Sequence, residues 1–455
     1  MSKDPLKVTM DGTPGHFWTD PGKVGDLNQS DDGYVRLVDD EAFHIETVRS
    51  RQLMESLRGV KGRVKQAPLP RPRSVFAQTN VSRSLFFDIA EVSRDTAMLG
   101  PLASTQTIRT RGAVVNVPLE IIEGADFLTV EMEIPEVTSW SGLEGMSESV
   151  EQFPDGRLKA WHGRAKHVDP IELVVRPGLT LTLSTTWSVK GPDDKRILST
   201  PLVVGSISNR PRPWKDHLKA LLAVQDLINV AYQGFVPAEN ATVQFKYRDG
   251  AQPLQTPVMW NSRLMTVPKG VSRPKKMSEF PLFFLEQIGG VRGLRNWIRL
   301  DRAYPRATGP IVNMYRYGTS GAEVRLVEIA MGLEYWTKIN REEGKAWAKP
   351  KILRKKTFEP LPMAVGRFVG PAFTDYVGDL LKWSEKFWDA YNNLKHSPNF
   401  EYDSSDISIL ADSGALLLQG ALLNRIAQNK SLMIELCDSH RTQRLKASVQ
   451  DLLNR

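Results

Sequence analysis

The sequence predicts an α+β chain in two domains. The first is mainly antiparallel β, sandwich or barrel-like, with one packed helix; the second is an all-α helical bundle. Three observations predict this. From about Phe17 to Asp249 the apolar residues fall in short alternating or β-branched runs bounded by Gly, Pro, Asn and Asp, which is the period and residue type of strands. From about Phe280 they recur every three or four residues, the spacing of one helix face. There is no internal repeat, so strands and helices segregate along the chain.

In chain order, strands are expected at Tyr34–Val38, Ala113–Val117, Phe127–Met132, Ile171–Val175 and Leu179–Leu183. Gly33 and Gly178 stand where turns would feed two of them. The run Ala67–Arg73 carries three prolines and excludes a helix there. His217 to Ala231 has helical spacing through Leu218, Leu221, Leu222, Leu227 and Ile228, and reads as a helix lying on the sheet. The domain boundary is placed near Lys275–Ser278, giving domains 1–275 and 276–455. Beyond it, helices are expected over Phe283–Leu300, Ala322–Arg341, Phe373–His396 and the leucine-rich Ala411–Gln428, with a basic loop at Lys349–Lys356.

Composition bounds the function. A chain of 455 residues with 41% hydrophobic and 25% charged residues has the make-up of a soluble globular protein. The net charge of +8 favours a polyanionic partner, most simply nucleic acid. A single cysteine, Cys437, forbids an intrachain disulfide and points to the cytoplasm. The N-terminus lacks the apolar stretch of a secretory signal. No apolar run approaches the roughly 20 residues that span a bilayer, so no membrane partner is expected. With no HExxH and no CxxC, no metal is expected. A nucleophile elbow, a P-loop and a dinucleotide glycine fingerprint are also missing, and no cofactor is expected.

Four groups of residues carry candidate chemistry. His396 ends a helix, because Pro398 disfavours helix at Ser397. Asn392 and Asn393 lie one turn back on its face. Histidine moves protons near neutral pH, and the helix dipole favours a cation at this end. A phosphodiester-cleaving acid or a plain helix cap both fit. Arg292, Arg295, Arg299, Arg302 and Arg306 are spaced to follow one helix face, although Pro305 should end that helix. They suit either successive phosphates or a solvated surface. The loop cations, including Lys355 and Lys356, suit a nucleic-acid backbone or an exposed loop. Glu334 sits in the apolar context Gly332-Leu333-Glu334-Tyr335-Trp336 and is expected to need a partner, either His396, an arginine or a structural mate. His16, His162 and His167 stand in less suggestive contexts.

Three segments of the second half resemble a HEPN domain of the ApeA type, a helical bundle of prokaryotic antiphage defence. They are Arg325–Tyr335 with its Leu-Glu-aromatic sequence, the Asn392…His396 segment, similar to that family's Arg-Asn-x-x-x-His motif, and the leucine-rich last helix. In the first half, Gly15–Trp18, Val24–Leu27 and Gly33–Leu37 are similar to the β-rich ApeA N-terminal domain. The resemblance implies a defence protein of the abortive-infection kind, with a sensor or regulatory N-terminal domain and a phage-derived trigger. It also implies a metal-independent endoribonuclease working at a two-fold homodimer interface. Carried over by position, His396 is the proton-transfer residue and Asn392 the polar residue of the motif. Tyr391 stands where the family has arginine. Tyrosine supplies no permanent charge and no bidentate fork. Lys395 is the nearest cation, about 100° around the helix from His396. RNA is the expected partner, bound through Lys395, Arg299, Arg302, Lys355 and Lys356. Because of Tyr391, a catalytically degenerate HEPN protein that binds RNA or a protein partner stays open beside the nuclease.

Overall fold

The computed structural model describes residues 12–38, 41–47, 71–80, 82–96, 104–118, 125–191, 197–246, 255–271, 274, 281–318, 320–349, 351–352, 359–397 and 401–455. The alternating runs become strands β1 (Thr13–Trp18), β2 (Asp31–Val38), β3 (Ala42–Thr47), β4 (Val75–Thr79), β5 (Arg83–Thr96), β6 (Ser104–Val115), β7 (Asp126–Ile134), β8 (Met146–Gln152), β9 (Leu158–Ala165), β10 (Ile171–Arg176), β11 (Leu179–Thr185), β12 (Ser188–Lys190), β13 (Ile197–Ser199), β14 (Leu202–Pro213), β15 (Glu239–Gln244) and β16 (Val258–Asn261). All pair antiparallel.

The order β6-β3-β2-β1-β4-β5 returns to β6 through β5, closing a six-stranded barrel. Its interior is filled by inward residues of each strand, among them Phe17, Val35, Phe43, Ile45, Phe86 and Ile108, with Trp260. β6 changes neighbour along its length within one continuous sheet. Gln106 to Thr110 pair with β3, and Gly112 to Val115 pair with β16. Gly112 sits at the changeover, where a Cβ would strike the Phe87 ring. From β16 the sheet continues as β15-β7-β14-β11-β10.

Both glycines named from sequence are structural, for different reasons. Gly178, at φ +72, makes the β10–β11 turn. Gly33 feeds no turn. It lies within β2 opposite Gly15 and Thr47, where a Cβ would collide with the Glu46 carbonyl. Residues 67–70 of the proline-rich connector lie outside the described residues.

The helices are α1 (Thr138–Ser141), α2 (Trp214–Tyr232), α3 (Ser262–Met265), α4 (Gly290–Ala303), α5 (Pro305–Arg316), α6 (Ala322–Glu342), α7 (Leu361–Val369), α8 (Pro371–Val377), α9 (Leu380–His396), α10 (Ser404–Ala427), α11 (Ser431–Asp438) and α12 (His440–Asn454). β14 runs straight into α2, the helix expected over 217–231, which packs on β14 and β7. Three expected helices differ from the structure. The leucine-rich one placed at Ala411 already begins at Ser404, capped by Asp403. The one placed at Phe283 starts at Gly290, because Gly289 and Gly290 hold positive φ. The one placed over Phe373–His396 is two helices. Gly378, at φ +87, breaks it, and the Asp379 side chain accepts from Lys382 N at 3.0 Å to start α9.

α10 organises the bundle. It is apolar nearly all round and is covered by α4, α5, α6, α7, α11 and α12, as expected of a central helix. By length and composition it is long enough to cross a membrane, yet most of it is buried by the other helices. Gly414 admits the Phe387 ring of α9 against its backbone. The two halves share one apolar core that runs from Val130 and Leu221 through Trp297 to Leu417. Polar ties cross the same join: Trp297 Nε1 donates to Ala223 O at 2.8 Å, and Arg441 Nη1 donates to Tyr232 O at 2.9 Å. The segment 275–280, on which the expected boundary falls, lies outside the described residues.

Candidate functional site

α9 places its candidate residues by simple periodicity. Trp383, Phe387, Ala390 and Tyr391 are buried against the bundle. Trp383 is pinned by its Nε1 donating to Ser413 Oγ at 3.0 Å on α10. The opposite face carries Glu385, Asp389 and His396, all exposed, with Asn392 half-buried. His396 is the last residue of the helix, which closes as Ser397 N donates to Asn393 O at 2.8 Å. Asn392 precedes His396 by four residues, about 40° off the same line. Among the described residues the His396 ring has no hydrogen-bond or ionic partner and stands free in solvent.

Tyr391 is only 2% exposed. Its ring packs beside Trp388 at 5.1 Å between centroids. Its hydroxyl accepts from Lys395 Nζ at 3.2 Å, and the same ammonium lies 5.3 Å from the ring centre. These contacts with Tyr391, aided by the charge of Glu334, push the Lys395 ammonium above its usual range. Glu334 is exposed on α6 rather than buried among the aromatics around it. A helix face turns through 100° per residue, so Leu333 and Trp336 point inward while Glu334 points out. Its influence falls on Lys395 and not on a buried mate. Tyr391, Lys395 and Glu334 thus gather where α9 crosses α6, while His396 lies on the exposed face of α9.

The arginines divide as Pro305 requires. Arg292, Arg295, Arg299 and Arg302 lie on α4, all exposed, at positions that cluster within about 80° of the helix circumference. No carboxylate pairs with them among the described residues. Over ten residues the row is about 15 Å long. Arg306 starts the next helix and lies 6.0 Å from the Tyr335 ring centre, beside Glu334. Of the basic loop, Lys351 is exposed with its N donating to Glu359 Oε1 at 3.2 Å, while Lys355 and Lys356 lie outside the described residues.

Two clefts were not anticipated from sequence. One of about 270 Å³ is lined by Asn313, Tyr317, Arg325 and Glu328. Another of about 220 Å³ is lined by Gln233, Asp412, Gln419 and Arg441. An ion pair between Arg325 and Asp412 gives one residue to each. Neither includes His396. Their residues come from α5, α6, α10 and α12, and only the packing joins them; no local motif announces them. Among the described residues no cluster of His, Cys, Asp and Glu is built to hold a metal ion. Cys437 is buried, which pushes its thiol up to about 12 and leaves it unreactive.

With this geometry in place, comparison with known proteins gives one match. A family model described as ApeA N-terminal domain 1 covers residues 28–297. The matched region takes in the barrel from β2, the sheet, α2 and the first turns of α4. No curated protein and no solved structure matches the chain.

Proposed function

The chain belongs to the family of the ApeA N-terminal domain 1, which spans more than half of it and places it among antiphage defence proteins, and from that premise we propose that its helical half is a HEPN-type endoribonuclease. His396 is the proton-transfer residue. Asn392, one turn back, offers an amide to the phosphate, and Lys395 supplies the cation that Tyr391 does not. The ribose 2′-hydroxyl gives its proton to water and attacks the adjacent phosphorus, the 5′-oxygen leaves with a proton from the imidazolium, and a cyclic phosphate remains. Two copies meeting across α9 pair their sites. The arginine row of α4 offers RNA a track of positive charge. The β-rich half senses infection and controls the bundle.

The observation that carries this reading is a solvent-facing imidazole with no partner among the described residues, one turn from an amide and next to a lysine, at the end of a helix fixed by Trp383 and Phe387. One observation favours a second reading. Tyr391 is packed inward and bound to Lys395, so a guanidinium is missing where the motif has one. A binding-only HEPN protein would look like this. Expression of wild type, His396→Ala and Tyr391→Arg separates the two. The nuclease reading expects RNA cleavage and growth arrest with wild type and neither with His396→Ala. The binding-only reading expects an inert wild type and cleavage appearing in Tyr391→Arg. Equal cleavage by wild type and His396→Ala removes the imidazole from the chemistry.

A further inference from the structure

More than half of the large apolar side chains exposed among the described residues lie between Met146 and Ile207. Most of them collect on two hairpins, while Val174 and Ile207 lie on β10 and β14. β8 and β9 pair with each other and with no other strand. The five-residue connection is closed by Phe153 N donating to Arg157 O at 2.8 Å and by Gly156 at φ +83. Register sorts the side chains, with Glu148 and Gln152 the polar members of the apolar face. Met146, Val150, Leu158 and Trp161 share one face; Ser147, Ser149, His162 and Arg164 share the other. On the polar face Glu151 takes His162 at 3.1 Å and Lys159 at 3.2 Å. On the apolar face the Trp161 indole lies flat over Gly163, where a Cβ would meet it, and its outer side is open at 54% exposure.

An apolar/polar alternation is the signature of a sheet with one covered face. Nothing covers this one among the described residues, and a two-stranded hairpin alone is at best marginally stable in water. The β12–β13 hairpin leaves the sheet beside it. At the base of the first hairpin Gly145 lies against Thr185, where a Cβ would be 3.1 Å from the Thr185 hydroxyl. The second hairpin adds exposed Trp187 and Val189, while Ile197 pairs with Lys190 on its opposite face. The chemistry of the missing layer can be read from the charges. A nucleic acid or an anionic lipid surface would draw cations around the aromatic, but His162 and Arg164 are turned to the far side. The face is therefore dry and suits protein.

We propose that these hairpin faces are a self-association surface that takes a second copy of this chain about a two-fold axis. An isologous contact needs one self-complementary patch, and this patch is one. With the axis at the Val150–Trp161 pair, the Met146 end of each hairpin lies over the Leu158 end of the other. Glu148, the one carboxylate on the apolar face, is then carried toward Arg157 at the partner's tip. The first hairpin offers roughly 250 Å², from strands about 26 Å long and about 10 Å of width, and the second, with strands of three residues, roughly 100 Å². Together they give roughly 350 Å² per copy, less than half of the ~800 Å² of a standard interface. The contact is therefore reversible and concentration-dependent.

The surface is separate from α9, so its test does not depend on the nuclease reading. Mass is measured on the full chain over a concentration series by sedimentation equilibrium, for wild type, Trp161→Glu, Val150→Glu, Glu148→Arg, and Glu148→Arg with Arg157→Glu. The expected result is a wild-type mass that doubles with concentration. The two apolar-to-glutamate variants weaken that step about 30-fold or more, the effect of a hot-spot tryptophan. Glu148→Arg weakens it and the charge swap restores it. If α9 also dimerises, the doubling runs from dimer to tetramer, and the hairpin variants stop at the dimer. A wild-type mass that never doubles, or a doubling equally strong in Trp161→Glu, overturns the proposal. So does a Trp161→Glu chain that loses thermal stability with its association unchanged, because the cover is then intrachain.

Discussion

Replacing Arg316 with alanine is expected to destabilise the whole chain by about 3–5 kcal/mol. The guanidinium is the polar hinge pin between the two halves. It sits at the end of α5 with its side chain 7% exposed, and its Nε meets Asp226 Oδ1 of α2 at 2.5 Å. Nη1 donates to Gln225 Oε1 at 3.0 Å and Arg263 O at 2.7 Å, and Nη2 donates to Leu222 O at 3.1 Å. Truncation leaves a buried carboxylate and three buried acceptors without their donor, and water has no ready access to replace it. Burial already pushes the Asp226 carboxyl up to about 7, against the pull of Arg316. Without that pull it moves higher and the charged form becomes harder to keep. Denaturant unfolding above neutral pH, followed by tryptophan fluorescence, reads the loss as a lower midpoint. The double variant Arg316→Met, Asp226→Leu is expected to recover most of it, because no charge is left stranded. A single-variant loss below about 1 kcal/mol, or a double variant worse than the single, refutes the reasoning.

The remaining predictions concern pH and charge. Asp226 has a folded value above its unfolded one, so its contribution is full at low pH and is lost as pH rises from about 4 to about 7. The stability difference between wild type and Asp226→Asn is expected to shift in that window and to level off above it. His217 behaves oppositely. Burial lowers its value, against the pull of the Phe127 and Ser206 carbonyls. The neutral ring is satisfied, with Nε2 at 3.0 Å from Phe127 O and Nδ1 at 3.0 Å from Ser206 Oγ. The unfolded chain therefore takes up a proton first, and stability falls as pH drops below about 6.5, an effect that His217→Gln is expected to remove. Arg295→Glu, Arg299→Glu and Arg302→Glu are expected to leave the fold intact and weaken RNA binding, measured as a salt titration whose slope falls by about 0.7–0.9 per lost phosphate contact. An unchanged slope in the triple variant takes the row off the RNA path.

Much of the architecture was legible because it rests on local period. β10, β11 and α2 announce themselves by alternation or by helical spacing, and α6 agrees with its expected span to within a residue. The break in α8–α9 was missed because Phe373, Val377 and Leu380 keep helical spacing across it; the stop is in Gly378, which packing does not reveal. Barrel closure was out of reach because it depends on β5 meeting β6 along its whole length while β6 changes partner at Gly112. At the candidate site, the exposure of His396 follows from the amphipathic pattern of α9. The outward turn of Glu334 follows from the period of α6 itself, but its pull on Lys395 follows from how α6 crosses α9, which no single segment encodes. The Arg316 tie was likewise hidden, because Asp226 lies ninety residues away in sequence and within a helix that reads as apolar.

The most direct measurement is the fate of end-labelled RNA incubated with the purified full chain in excess chelator, with the new 3′ ends identified chemically. The account predicts fragments ending in a cyclic phosphate from the wild-type protein and intact RNA from His396→Ala. Intact RNA with the wild type, or fragments from both proteins alike, contradicts it.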